Sequence, residues 1–193
     1  MANRNTSGFG LIPTGTLGST PATGGQGKYY IVAAYGTTLY NGTTVKQSGG
    51  YIITAQAAIT NTSIGVLNGV FYNAATTLKP TWSAHYTDVT PANSENTTAF
   101  VIDNPFQLYV TSFDTAIPIA NMGATFGMAT ITGSTLSGQS SNAMLLAGAS
   151  ATANTWRTVR IAEDPENEDI TNTFCSVIVV QNLNQYATGV TMA

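Results

Sequence analysis

Charge is what this chain has least of. Of its 193 residues, six are Lys or Arg and nine are Asp or Glu, so charged residues make up 8%, where about 25% is usual for a soluble protein. The net charge of −3 excludes an electrostatic footprint for nucleic acid or for an anionic membrane surface. Cys175 is the only cysteine, which excludes an internal disulfide and any metal cage built on thiolates. His85 is the only histidine, so a zinc site of the H-E-x-x-H type is excluded as well. The longest apolar runs, Tyr29 to Tyr35 and Val177 to Val180, are the size of strands and far short of a membrane span. The opening Met1-Ala2-Asn3-Arg4-Asn5-Thr6-Ser7 lacks the apolar run of a signal peptide, and a chain made in a cytoplasm is expected.

What remains is 43% apolar residues, enough to build a core and to exclude disorder. The pattern is that of short strands. Tyr29 to Tyr35 begins aromatic and β-branched, and Gly36 closes it. Asn41-Gly42, between Thr38-Leu39-Tyr40 and Thr43-Thr44-Val45, predicts a hairpin, and Ser48-Gly49-Gly50 predicts a turn before Tyr51-Ile52-Ile53. Ile64 to Tyr72 reads as a long strand in which Gly65 and Gly69 mark a close backbone approach or a bulge. Phe106, Leu108 and Val110 alternate with Gln107, Tyr109 and Thr111, the period of a half-buried strand. Trp156 to Ile161 and Phe174 to Val180 form two late strands, expected to pair as an antiparallel hairpin. Val159 and Ile161 are expected to face the core from the first of these. From the second, either Phe174, Ser176, Ile178 and Val180 or Cys175, Val177 and Val179 face it. Helical periodicity is confined to one short turn within Ala116 to Ala124, between the breakers Pro118 and Gly123. The expected fold is all-β, a β-sandwich or barrel-like core with an extended N-terminal arm.

The arm is residues 1–27, and residues 28–193 form a single β-rich domain. Seven glycines with Pro13 and Pro21 leave the arm no period and little bulk for a core of its own. Its scattered Phe9, Leu11, Ile12, Pro13 and Leu17 are read as residues that dock on something else.

Catalytic candidates are few. His85 lies in the strand-like Trp82-Ser83-Ala84-His85-Tyr86 without a G-x-S-x-G turn to serve. Cys175 lies in an apolar strand, where a thiol is core filling. Asp88, Glu95, Asp103 and Asp114 are the isolated carboxylates from which a glycosidase pair would have to be drawn. The Gly8-x-Gly10 and Gly25-x-Gly27 pairs lack the third glycine and the helix of a dinucleotide site. No enzymatic activity and no cofactor are expected.

The charges that exist are clustered. Glu163, Asp164, Glu166, Glu168 and Asp169 place five of the nine acids within one short stretch. With Pro165 and Asn167 they read as a solvated loop between the late strands, with Arg157 and Arg160 near enough for a local ion pair. Nothing from Thr115 through Trp156 is charged. That stretch, with Ile117, Ile119, Met122, Phe126, Met128, Ile131, Leu145 and Leu146, is either core or surface covered by another subunit. Met128 and Leu145 are the candidates for that contact.

Several segments resemble the small capsid decoration, or cement, proteins of tailed bacteriophages of the marine podovirus type. These are Gly8-Phe9-Gly10-Leu11-Ile12-Pro13-Thr14-Gly15, Tyr30 to Tyr35, Leu39 to Lys46, Ile64 to Tyr72, and Arg160-Ile161-Ala162-Glu163-Asp164-Pro165-Glu166-Asn167 with the closing strand through Asn182. The stretch from about Asn121 to Asn154 departs from the family's pattern. The resemblance implies a structural virion protein on the exterior of an icosahedral capsid. There it would contact the major capsid protein and stabilise the shell by bridging capsomers, without enzymatic activity. By analogy it also implies a homo-oligomer, a trimer before a dimer. Two other readings share the composition: a phage tail or fibre component, and a β-sandwich carbohydrate-binding module whose aromatic platform would draw on Tyr29, Tyr30, Tyr51, Trp82 and Trp156.

Overall fold

The computed structural model of the chain describes residues 2–18, 25–55, 61–128, 131–150 and 154–186. Among the described residues, twelve strands build two antiparallel sheets, with two short 3-10 turns, at Ala92–Ser94 and Ile119–Asn121, between them. The fold is an all-β sandwich. The first sheet runs β1 (Ile12–Thr16), β8 (Gln107–Ser112), β12 (Ser176–Gln181), β11 (Trp156–Ile161), β9 (Thr125–Met128), β10 (Met144–Ser150). The second runs β2 (Gly27–Ile31), β7 (Thr97–Ile102), β5 (Gly65–Asn73), β3 (Thr44–Ser48), β4 (Tyr51–Thr54), and β6 (Pro80–Ser83) pairs with the far end of β5.

Burial divides into two cores, one on each face of the second sheet. Between the sheets lie Leu11, Val66, Ile102, Tyr109, Phe113, Phe126, Met128, Trp156, Val177 and Val179. Aromatic edges organise this core: Tyr109 meets Trp156 at 5.3 Å and 80°, and Phe113 meets Phe126 at 4.8 Å and 87°, the edge-to-face geometry ring quadrupoles favour. The indole N–H of Trp156 donates to Thr44 Oγ1 at 3.1 Å, so the largest side chain in the core buries no orphan donor. On the opposite face of the second sheet, Val45, Leu67, Val70, Ala99 and Val101 are roofed by Leu39, Tyr86 and the partly buried Val89 and Ile131. From Gly65 to Val70 strand β5 is therefore covered on both sides, and both of its faces are apolar there.

The turns follow their residues. Gly49 and Gly50 both have positive φ (58° and 87°) and join Ser48 to its partner Tyr51, the two-residue turn whose twist matches a hairpin. Asn41-Gly42 turns too, with Gly42 at φ 85°, but no hairpin forms there. Leu39 bridges to Tyr86 and Asn41 to Gln139, while β3 goes to β4 and β5. Gly65 and Gly69 are both close approaches: a Cβ would run into the Ile102 carbonyl at the first and the Trp82 ring at the second. The bulge of β5 falls beside them, between Leu67 and Gly69.

Packing decides three points, two of them against expectation. The first is the arm. Residues 2–18 do not stand off from the domain: Ile12–Thr16 is a strand of the first sheet, antiparallel to β8, and Leu11 is 1% exposed in the inter-sheet core. A glycine-rich segment needs no core of its own when a neighbouring sheet edge satisfies its backbone. The second is the side that β8 buries: Gln107, Tyr109 and Thr111 are buried, whereas Leu108 and Val110 are half-buried on the outer face and Phe106 is exposed. The third is Val159. β11 and β12 pair antiparallel as expected, but the register shifts between Thr158 and Arg160. That bulge brings Trp156, Thr158 and Ile161 opposite Gln181, Val179 and Val177, and so onto the core side with Cys175, and leaves Val159 out of it.

Candidate docking surfaces

The N-terminal segment reaches across the molecule and clasps the acidic loop. Arg4 Nη1 donates to both carboxylate oxygens of Glu166 at 2.7 and 2.8 Å, and its backbone N–H donates to the Glu166 carbonyl. Asn3 donates to the carbonyls of Asp169 and Thr173, and the Asn5 N–H donates to Asn167 Oδ1 at 2.7 Å. Within the loop, Glu163, Glu166 and Glu168 are exposed, and Asp164 and Asp169 are half-buried. Asp169 accepts from the Thr171 hydroxyl and N–H and from Asn172, bonds that hold its carboxyl down at about 2. Arg160 pairs with Glu163 at 3.3 Å, whereas Arg157 is turned to the Gly123 carbonyl and to Asn182. Among the described residues, no three His, Cys, Asp or Glu side chains converge on a point where one metal ion would sit.

The isolated titratable groups are engaged separately. His85 stacks on Tyr40 at 5.9 Å and 12°, and desolvation holds its pKa below the ordinary value. Cys175 is fully buried, and burial pushes its thiol up to about 11, away from nucleophilic use. Asp88 accepts from the Gly36 N–H, Asp103 from the Tyr29 hydroxyl at 2.8 Å, Asp114 from the Leu146 N–H, and Glu95 from Asn73.

Of the five arm residues, the structure separates two roles. Leu11 is core, and Phe9 is half-buried. Ile12 and Leu17 are 45% and 39% exposed, Pro13 is exposed between them, and Phe106, 51% exposed, adjoins Leu17, whose N–H donates to the Phe106 carbonyl at 2.8 Å. Beside them runs a shallow groove of about 400 Å³ along Thr14, Leu17, Leu108, Val159 and Arg160. This apolar margin is an edge of the first sheet, because among the described residues β1 pairs only with β8. Pro13 removes a donor from that edge, which opposes addition of a further strand and favours docking through side chains.

Met128, expected at a subunit contact, is instead 5% exposed in the inter-sheet core, where its sulfur accepts from the Thr44 hydroxyl at 3.6 Å. Leu145 is half-buried on the edge strand β10. The uncharged stretch is thus split. Ile117, Phe126, Met128 and Met144 fill the core, whereas Ile119 and Leu136, at 62% and 98% exposure, project into solvent.

The aromatic set is split as well. Trp156 is core, and Tyr29 points its hydroxyl at Asp103. Tyr30 and Trp82 share one face of the second sheet, in a cross-strand row Tyr30, Thr98, Phe71, Trp82 over β2, β7, β5 and β6. Phe71 and Phe100 complete this group, and neither stands out in the sequence as a surface residue. Their signal was only that each alternates with core residues along an apolar strand.

Comparison of the chain with protein-family models, with curated proteins and with solved structures finds no match. What the fold and its surfaces define is an antiparallel two-sheet β-sandwich with an apolar edge strand near its N-terminus and an open aromatic face.

Proposed function

We propose that this chain is a structural protein of a tailed-phage virion, bound to the outside of the icosahedral capsid and bridging its capsomers. The observation that carries the reading is the uncharged apolar edge of Ile12, Pro13, Leu17 and Phe106. Ile12 and Pro13 of that edge fall within Gly8 to Gly15, one of the segments that resemble capsid decoration proteins. A surface with few charges loses little to desolvation when a broad contact covers it, and binding only the mature shell stabilises that shell by mass action. The clasp of residues 3–5 on the acidic loop holds the segment in place before it meets a partner. A trimer is the proposed assembly, with the protruding Ile119 and Leu136 in place of Met128 as its contact residues, because many weak contacts gain from being made together.

The test uses expanded shells assembled from the major capsid protein encoded in the same genome. The purified chain should co-sediment with them, and the double variant Ile12→Asp, Leu17→Asp should stay folded yet remain in the supernatant. Undiminished co-sedimentation of that variant would overturn the docking edge, and no co-sedimentation of the native chain would overturn the function.

A further inference from the structure

We infer that the open aromatic face of the second sheet is a binding site for a neutral polysaccharide chain, separate from the capsid-docking edge. Three rings stand in solvent there: Trp82 at 54%, Tyr30 at 45% and Phe71 at 39% exposure. Phe100, half-buried, lies 5.3 Å from Trp82. The register places Tyr30, Thr98, Phe71 and Trp82 on four adjacent strands, a row about 14 Å long at the usual strand spacing and the length of a short oligosaccharide. Ile102, two residues beyond Phe100 on the same side of β7, is already inside the inter-sheet core. The platform is therefore the part of that face which the first sheet leaves uncovered.

The rings are held in place. Trp82 occupies the space where Gly69 has no Cβ, so its indole lies down on the sheet. Lys28 Nζ sits 5.8 Å from the centre of the Tyr30 ring. Such a fixed, shallow row of ring faces presents negative quadrupoles to the C–H-rich faces of pyranose rings. Thr98 within the row, and Asn73 with Glu95 at its margin (3.3 Å), offer donors and acceptors for hydroxyl groups.

Charge and area choose the occupant. The face carries Lys28, with Glu95 and Lys79 at its rim, and no run of charge of one sign, so it complements a ligand without net charge. A single-stranded nucleic acid would need a cationic track beside the rings. The exposed ring area is roughly 300 Å² from the usual size of aromatic side chains, well below the ~800 Å² per partner of a stable protein interface. A second copy of the chain is therefore a poor match.

The experiment is native affinity electrophoresis of the full chain in gels containing xyloglucan, laminarin, galactomannan or dextran. Retardation is expected in at least one of them. Trp82→Ala and Phe71→Ala should weaken it tenfold or more, Trp82→Phe should keep part of it, and Ile12→Asp should leave it unchanged. The retarding polysaccharide should also shield Trp82 fluorescence from acrylamide. Trp156, being buried, contributes little to either signal. The inference is overturned by free migration in all four gels, or by retardation that survives Trp82→Ala. It is equally overturned if the Trp82-dependent partner proves to be oligo-dT or another copy of the chain in sedimentation. No shell enters this assay, so its failure leaves the capsid reading standing, and the reverse holds too.

Discussion

Leu11→Ala tests whether the first eighteen residues belong to the body of the fold. The side chain is 1% exposed and packs in the inter-sheet core. Its truncation removes buried methylene groups and leaves a cavity, at a cost of about 2–4 kcal/mol. Against the roughly 5–15 kcal/mol that holds a typical domain together, that is a large fraction. For a chain of this size it lowers Tm by about 5–15 °C, at 2–4 °C per kcal/mol. The neighbouring Ile12→Ala, at 45% exposure, should cost less than about 1 kcal/mol. Urea unfolding of both variants, with the slope compared as well as the midpoint, measures the difference directly. Equal, small losses at the two positions would mean that the N-terminal segment is an appendage, and the strand pairing of β1 with β8 would then contribute nothing to stability.

Thr44→Val removes the acceptor of the buried Trp156 N–H and should destabilise by about 1–3 kcal/mol, with a change in Trp156 fluorescence seen in thermal melts. Cys175 should resist a thiol reagent at pH 8 in the native state. Because its folded pKa, about 11, lies above that of an unfolded thiol, near 8.5, its share of stability is complete below that lower value. It is lost as pH rises toward 11, and Cys175→Ala should flatten this alkaline decline in denaturation measured between pH 8 and 11. His85 titrates the other way. Its pKa is held down by burial, so stability is full above the ordinary histidine value near 6.5 and falls as pH drops below it. The C2 proton of this single histidine should titrate below 6.5 by NMR, and a pKa at or above that value would refute the desolvation of His85. Met128→Glu should unfold the chain, whereas Leu136→Glu should leave Tm within about 1 °C and lower only the oligomer content in sedimentation.

The all-β class, most strand positions and the late hairpin were legible in the sequence because they depend on local chemistry: β-branched runs, period-two alternation, Gly-Gly and Asn-Gly turns, and the scarcity of helix formers. Ser48-Gly49-Gly50-Tyr51 closes a hairpin on the strength of four residues. The exposed carboxylates of the acidic loop could be read in the same way, since a run of charges with a proline goes to solvent wherever the strands lie.

Which side of a strand faces inward is a different matter. Leu108 and Val110 look more apolar than Gln107 and Thr111, yet Tyr109 sets the inward face, because Trp156, two strands away on the same face of the first sheet, packs against its ring. The bulge at Val159 shifts the inward face of β11 by one residue, and no local signal marks it. Leu11 and Ile12 are adjacent and chemically alike, and only the pairing of β1 with β8 buries one and exposes the other. Met128 became core, and Phe71, Trp82, Phe100 and Tyr30 became one surface, through contacts between residues from about ten to 84 positions apart in the chain. Local sequence marked most of the strands, though not β1, β7, β9 or β10. The choice of buried face, the joining of the N-terminal segment to the sandwich and the assembly of the aromatic platform were decided by tertiary packing, because each depends on what lies opposite.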